Sequence, residues 1–297
     1  MFKIIRRKKL WFTLSALLTV ISILALIFFR LNVGIDFKGG TLWELNLTQG
    51  KFDKVRVENI FKDQGFKNVS IQLSGERDVI IRLENLDKDQ HAKLLAAFEK
   101  TFKSTKESRY ETVGPTVSSD LTRKAIMAVA VASLGIIFYL AFAFRKVTKP
   151  ANPWKFGVCA VVALIHDALF VLGMFAIFGH YFDMEINSLF VTAILTVIGF
   201  SVHDTIVVFD RIRENLNKLN KPFEEIVEYS IGQTLVRSLA TSFTALLVLL
   251  AILILGGATI REFVLALAIG IVVGTYSSIF LASPLLVVWQ KKQIEQK

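Results

Sequence analysis

The chain has 297 residues, of which 53% are hydrophobic and 20% are charged, and its formal net charge is +10 at neutral pH. This apolar fraction is high for a soluble protein and is concentrated in long runs, which indicates a membrane protein. The basic residues cluster at the ends of these runs, so the net charge reflects membrane topology and we expect no nucleic-acid partner. A single cysteine, Cys159, excludes a disulfide within the chain.

Six segments are apolar over enough residues to span a bilayer, for which about 20 are needed. They cover residues 10–29, 124–144, 154–178, 187–209, 234–255 and 262–289. The first follows a basic N-terminus, but its apolar run is too long for a signal peptide and no small-residue cleavage site follows it, which favours an uncleaved anchor. Lysine and arginine cluster at alternate ends of the spans. The positive-inside pattern therefore predicts cytoplasmic termini and places residues 31–122 outside.

Residues 31–122 interrupt the apolar pattern and predict a soluble domain. Four short alternating segments predict strands near 41–47, 69–73, 79–83 and 108–113, and helical spacing occurs over 53–64 and 87–102. The order β-α-β-β-α-β is that of a ferredoxin-like α+β domain. We therefore expect three parts: residues 1–30 with the first span, residues 31–122 as the α+β domain, and residues 123–297 as a five-span bundle.

The borders of this domain carry residues that suit hinges or tight turns. They are Gly34, Gly39, Gly40, Gly114 and Pro115. The one histidine of the domain, His91, is predicted to be a solvated surface residue.

An acidic residue, Asp204, lies inside the fourth span. A charge at that depth costs roughly 2.5–3.5 kcal/mol on insertion scales, and its default meaning is a site on an ion or proton path. Arg237 lies near the start of the fifth span at a similar depth, with Thr234, Thr241 and Thr244 at helical spacing around it. We hypothesise that Asp204 and Arg237 face each other and that protonation of Asp204 releases the attraction. A static buried ion pair is the alternative.

Four further residues are candidates for a proton relay, and one of them is Thr241, in the polar stripe of Arg237. His166 and Asp167 lie near the middle of the third span, where they form either a relay or a satisfied packing pair. His203 precedes Asp204 and either takes part in the relay or only contacts a neighbouring helix.

The last span carries small residues at every fourth position, which predicts close approach of another helix. They are Ala266, Gly270, Gly274, Ser278 and Ala282. Between the fourth and fifth spans, residues 211–229 predict an interfacial amphipathic helix that Pro222 interrupts. The sequence contains no H-E-x-x-H, Walker A or G-x-S-x-G motif, so we expect no enzyme, no catalytic residues, no cofactor and no metal site.

Five motifs resemble those of the SecF family of protein-export membrane subunits, in the resistance-nodulation-division superfamily. They occupy residues 33–41, 113–117, 199–215, 233–242 and 274–284, in order over nearly the whole chain. The resemblance implies a bacterial cytoplasmic membrane protein that pairs with SecD, works at the SecYEG channel and uses the proton-motive force to move preproteins. It also ties Asp204 and Arg237 to proton flow. The family usually has Asn where this chain has His203.

Two other functions stay open at this point. One is a self-sufficient exporter of a small molecule or lipid. The other is a scaffold that stabilises the Sec channel without moving protons, which predicts that Asp204 is replaceable. The sequence also leaves open whether the coupling ion is the proton or sodium.

Overall fold

The computed structural model describes residues 3–47, 54–66, 69–74, 78–102, 105–145 and 152–295. The chain divides into two compact units. We call them the helical unit, Met1–Asn32 with Met127–Lys297, and the α+β unit, Val33–Ile126.

The described residues form ten α-helices and four strands. In chain order they are α1 (Lys8–Phe28), α2 (Ile35–Lys38), β1 (Gly40–Leu47), α3 (Lys54–Asp63), β2 (Ser70–Ser74), β3 (Asp78–Leu83), α4 (Lys88–Phe102), β4 (Thr105–Val113), α5 (Pro115–Ala143), α6 (Pro153–Phe182), α7 (Ser188–Lys218), α8 (Phe223–Leu255), α9 (Ala258–Ser277) and α10 (Ser283–Glu295). A short 3₁₀ turn, Ile5–Arg7, precedes α1. A π-helical turn, Ser278–Ala282, joins α9 to α10.

Six helical segments of the described chain are long and apolar enough to cross a membrane, as the sequence predicts. They are Ile5–Phe28, Pro115–Ala143, Pro153–Phe182, Ser188–Lys218, Phe223–Leu255 and Ile260–Gln290. Most are longer than their apolar runs. The helices continue into polar flanks because those flanks contain good helix formers, and Pro115, Pro153 and Pro222 stand at helix starts, where a missing N–H is not needed.

The polar segment between the fourth and fifth spans differs from its prediction. It forms no separate interfacial helix: α7 runs on to Lys218, and α8 begins at Phe223 after an N-terminal cap by Pro222. Asn215 is buried and its Nδ2 donates to Ser230 Oγ at 2.9 Å and to Gln233 Oε1 at 2.8 Å. These bonds hold the ends of α7 and α8 together as a hairpin, so its apolar residues pack within it instead of facing lipid.

Three of the small residues of the last span, Gly270, Gly274 and Ser278, lie against α7. An added Cβ at Gly270 would be 2.0 Å from Val197 Cγ2, and one at Gly274 would be 3.0 Å from Ser201 Cβ. Ala266, Ser278 and Ala282 are also buried. Larger side chains at the two glycines would separate α7 from α9, so the glycines set the distance between these helices.

The α+β unit contains one sheet with strand order β2-β3-β1-β4, and all neighbouring strands are antiparallel. After the short α2, its elements follow the predicted order β-α-β-β-α-β. Alternate strand residues such as Trp43 and Leu45 pack with Phe61 of α3 and Phe98 of α4. This core lies between one face of the sheet and the two helices. Part of the predicted first helix and of the turn between β2 and β3 lies outside the described residues.

Two successive glycines at the start of β1 adopt backbone angles that favour glycine. Gly39 has φ of 78° and Gly40 has φ of 130°. An added Cβ at Gly40 would lie 2.7 Å from the carbonyl oxygen of Leu83. The pair therefore forms a fixed tight turn before β1. Gly34 caps the start of α2, while Gly114 immediately precedes α5, which begins at Pro115.

His91 lies on the surface of α4, as predicted, but its side chain is bonded and partly buried instead of simply solvated. Its Nε2 lies 2.7 Å from Glu107 Oε2, and its ring centroid is 4.0 Å from that of Tyr110. Trp43 Nε1 donates to the same Glu107 oxygen at 2.7 Å. The imidazole is thus part of an aromatic and polar cluster that joins α4 to the sheet. Helical spacing could not reveal it, because its partners come from two strands.

Candidate functional site

Asp204 is the buried acidic residue of α7, with only 2% of its surface exposed. Thr275 Oγ1, from α9, donates to its Oδ2 at 2.9 Å. The Thr275 hydroxyl is also 2.5 Å from Ser242 Oγ of α8. Three helices therefore meet at one carboxylate that is held by hydroxyl groups. A buried charge without a cationic partner is costly, and binding a proton removes that charge.

The predicted contact between Asp204 and Arg237 does not occur within this chain. Arg237 is exposed, and its guanidinium has no ion pair among the described residues. The buried polar face of α8 consists instead of residues at four-residue spacing: Ser230, Thr234, Ser238 and Ser242. Arg237 is one position before Ser238, which turns it about 100° away around the helix. Small hydroxyl residues let α8 approach α7 and α9, whereas arginine at this interface would hold them apart.

Thr241 also lies away from Asp204. It is exposed, and its hydroxyl donates to the carbonyl oxygen of Arg237 at 2.9 Å. Ser242, the next residue, occupies the place that was predicted for Thr241. His203 is exposed as well, although it is adjacent to Asp204 in sequence. Of these four predicted residues, only Asp204 is buried between α7, α8 and α9. Arg237, Thr241 and His203 lie on the outside of these three helices.

A second buried carboxylate, Asp167, lies on α6. Its Oδ1 is 3.0 Å from His166 Nδ1, and its Oδ2 accepts hydrogen bonds from Ser201 Oγ of α7 and Ser277 Oγ of α9, each at 2.6 Å. Asp167 is 1% exposed and His166 is 5% exposed. The structure thus brings His166 and Asp167 together, as the sequence suggests, and adds two serines that sequence reasoning missed.

Hydroxyl groups lie between the two carboxylates. Thr205 Oγ1 is 2.8 Å from Ser278 Oγ, and both hydroxyls donate to the carbonyl oxygen of Ser201. Ser201 and Asp204 are three residues apart on α7, which corresponds to about 4.5 Å along the helix axis. The two acidic sites therefore lie at similar depth, on different sides of the contact between α7 and α9.

The missed site residues share one signal in the sequence. Serine and threonine recur at every fourth position on α8, from Ser230 to Ser242, and four of the five residues from Gly274 to Ser278 are glycine, serine or threonine. In a membrane span such residues mark helix contacts and hydrogen bonds between helices. Groups of three or more His, Cys, Asp or Glu side chains able to hold a metal ion are not found among the described residues.

Comparison with known proteins places this arrangement in a family. The family described as "Protein export membrane protein SecD/SecF, C-terminal" matches residues 93–292. The protein translocase subunit SecF of Thermobaculum terrenum is 46% identical, over 98% of this chain and 95% of the relative. The chain belongs to the SecD/SecF family. The SecF of Anaerolinea thermophila is 38% identical, over 98% of the chain and 94% of that relative.

Longer relatives of the family are named SecDF. The SecDF of Bacillus subtilis is 35% identical over 98% of the chain, which spans 38% of that protein. The crystal structure of SecDF from Thermus thermophilus, described as a translocon-associated membrane protein, superposes with a TM-score of 0.87 at 35% identity. It matches 98% of this chain, and the chain spans 39% of it. The fold is therefore that of one part of SecDF.

Proposed function

We propose that this chain is an auxiliary subunit of the Sec protein translocase that acts with SecD and uses the proton-motive force to promote preprotein movement across the bacterial cytoplasmic membrane. The names of its relatives support the translocase role. The observation that carries the coupling to protons is Asp204, a carboxylate buried at the meeting point of three membrane helices and held by hydroxyl groups.

The energetics of such coupling are sufficient. One charge that crosses 100 mV gains about 2.3 kcal/mol, which changes an equilibrium between two conformations about fiftyfold. Asp204 can carry that charge because it is neutral with a proton and negative without one. Loss of the negative charge weakens its attraction for the Thr275 hydroxyl, which is one of the contacts between α7 and α9. Proton binding and release would then change how these helices pack.

SecD is the proposed partner at the exposed face of α8. Arg237 lies there among apolar residues such as Val236 and Leu239, which are 75% and 50% exposed. A guanidinium that faced lipid at this depth would be costly, so a covering protein that presents an acidic side chain to Arg237 fits this face. The SecDF relatives carry both subunit names, which supports SecD as that protein.

The proposed topology has both termini in the cytoplasm and a ferredoxin-like α+β unit on the periplasmic side. Its support is the distribution of basic residues at the ends of the spans. From that side the unit is available for contacts with preprotein and with the SecYEG channel. We propose no catalytic reaction for the chain.

The test is preprotein translocation into inverted membrane vesicles that contain SecYEG and this chain, with or without SecD and with or without a proton gradient. The proposal expects the gradient to increase translocation only when both this chain and SecD are present. An increase that is independent of this chain would overturn the proposal. If this chain increases translocation equally with and without the gradient, the scaffold function is favoured. A matched sodium gradient then shows whether the proton is the coupling ion.

A further inference from the structure

The pair formed by His166 and Asp167 lies near the middle of α6 and has a specific pattern of hydrogen bonds. Both oxygens of the Asp167 carboxylate are engaged: Oδ1 with His166 Nδ1, and Oδ2 with Ser201 and Ser277. The imidazole uses Nδ1 for this contact, which leaves Nε2 to point away from the carboxylate.

His166 Nε2 is buried and has no hydrogen-bond partner among the described residues. Trp11 Nε1 of α1 is in the same condition. The Tyr276 ring centroid is 6.4 Å from that of His166, and its hydroxyl contacts Ser15 Oγ at 3.0 Å and the Trp11 backbone carbonyl oxygen at 3.3 Å. Polar atoms therefore gather where α1, α6 and α9 meet. Buried polar atoms are almost always bonded to protein or to water, so we expect a water molecule to bond His166 Nε2.

We propose that His166 and Asp167 form a second proton-binding site, separate from Asp204, which water reaches at His166 Nε2. This inference rests on the proposed function, because it assigns the pair a step in the same proton transfer. Hydronium that arrives through this water gives a proton to the Nε2 lone pair and becomes water. The pair changes from net negative to neutral, and it returns to the negative state when Nε2 gives the proton back to water.

The surroundings of the pair give this change a structural consequence. Within the described part of the chain, Tyr276 of α9 is the further titratable group whose ring lies near the imidazole. Ser201 of α7 contacts Asp167, and Ser15 of α1 contacts the Tyr276 hydroxyl. Asp204 is bonded to Thr275 and is not in contact with the imidazole. When Nε2 is protonated, the imidazolium neutralises Asp167, and the carboxylate then holds Ser201 and Ser277 less strongly.

Those two serines fasten α7 and α9 to α6. Ser277 immediately precedes the π-helical turn Ser278–Ala282, and turns of this kind often occur at functional sites within helices. The proton on His166 would thus act on the same helix contact that Asp204 controls. The packing of α7 against α9 would then depend on two protonation sites, Asp204 on one side and the pair of His166 and Asp167 on the other.

The experiment measures gradient-driven translocation in vesicles with SecD while the pH on both sides is shifted together and the gradient is held constant. Wild type is compared with His166→Gln and with His180→Gln. His180 is a matched control because it lies on the same helix and stacks on Phe29 instead of contacting an acidic group. We expect the wild-type response to change with pH, the His166→Gln response to lose this pH dependence, and His180→Gln to behave as wild type.

An unchanged pH profile in His166→Gln, with a normal amount of complex, would overturn the inference. If wild type shows no gradient response, the proposed function fails, but that result does not test the His166 site. A second measurement therefore tests the site directly, and it also serves if the His166→Gln variant assembles poorly. It records ¹⁵N chemical shifts of the native His166 in a chain with His91→Asn, His180→Asn and His203→Asn. A proton-binding site gains a proton at Nε2 as the pH falls from about 8 to 5, whereas an Nε2 that stays in one state over this range would overturn it.

Discussion

The contact between Gly270 and Val197 gives the sharpest prediction about the packing of α7 against α9. A Cβ at position 270 would lie 2.0 Å from Val197 Cγ2 and 2.6 Å from Cγ1. These distances are far below van der Waals contact, so Gly270→Ala must move α9 or change the Val197 rotamer. Excess volume of this kind in a packed interior costs about 1–3 kcal/mol. We expect the free energy of unfolding in detergent to fall by that amount.

The matched control is Gly199→Ala on α7, where an added Cβ meets nothing within 4 Å. We expect its free energy of unfolding to stay within about 0.5 kcal/mol of wild type. The double variant Gly270→Ala with Val197→Ala removes both clashing Cγ atoms and should recover part of the loss, although Val197 Cβ would still be 2.8 Å away. Equal stability of Gly270→Ala, Gly199→Ala and wild type would refute the reasoning.

Three further predictions concern the site, the partner face and the α+β unit. Thr275→Val removes the hydroxyl that donates to Asp204 and should reduce gradient-driven translocation, while Thr275→Ser keeps it; equal responses would argue against a role for this bond. Arg237→Ala should change the stability of the isolated chain by no more than about 0.5 kcal/mol but weaken copurification with SecD; undiminished copurification would contradict this. In Gly40→Ala the new residue has an unfavourable φ, and its Cβ lies 2.7 Å from the Leu83 carbonyl oxygen. The substitution should therefore lower the thermal midpoint of the α+β unit, which hydrogen exchange followed over a range of temperatures can measure.

Much of the fold is predictable from the sequence because it depends on local patterns. Apolar run length identifies the six spans, and alternation identifies the four strands. The hairpin of α7 and α8 is less predictable, since a polar amphipathic segment looks the same whether it lies on a membrane or continues two helices. The bonds of Asn215 to Ser230 and Gln233 decide this, and they join residues 15 and 18 positions apart.

The candidate site was predictable only in part. The cost of a charge in a membrane identifies Asp204, and a similar argument identifies Asp167. The donors to these carboxylates come from other helices, and Ser and Thr carry no comparable cost that would single them out. The pairing of Asp204 with Arg237 was wrong because the polar stripe was drawn through Arg237 and Thr241, whereas the buried polar face of α8 passes through Ser238 and Ser242. The direction of each side chain around its helix also matters, and the spacing of Ser238 and Ser242 on α8 contains that information.

The most direct test of the account replaces the Asp204 carboxylate. Translocation is measured in inverted vesicles with SecD, with and without a proton gradient, for wild type, Asp204→Asn and the control Asp210→Asn. Asp210 is exposed on the same helix and pairs with Arg213. The account predicts that Asp204→Asn loses the increase due to the gradient, keeps translocation without a gradient and assembles normally, while Asp210→Asn resembles wild type. A full gradient response in Asp204→Asn would contradict the account and leave Asp204 as a packing residue.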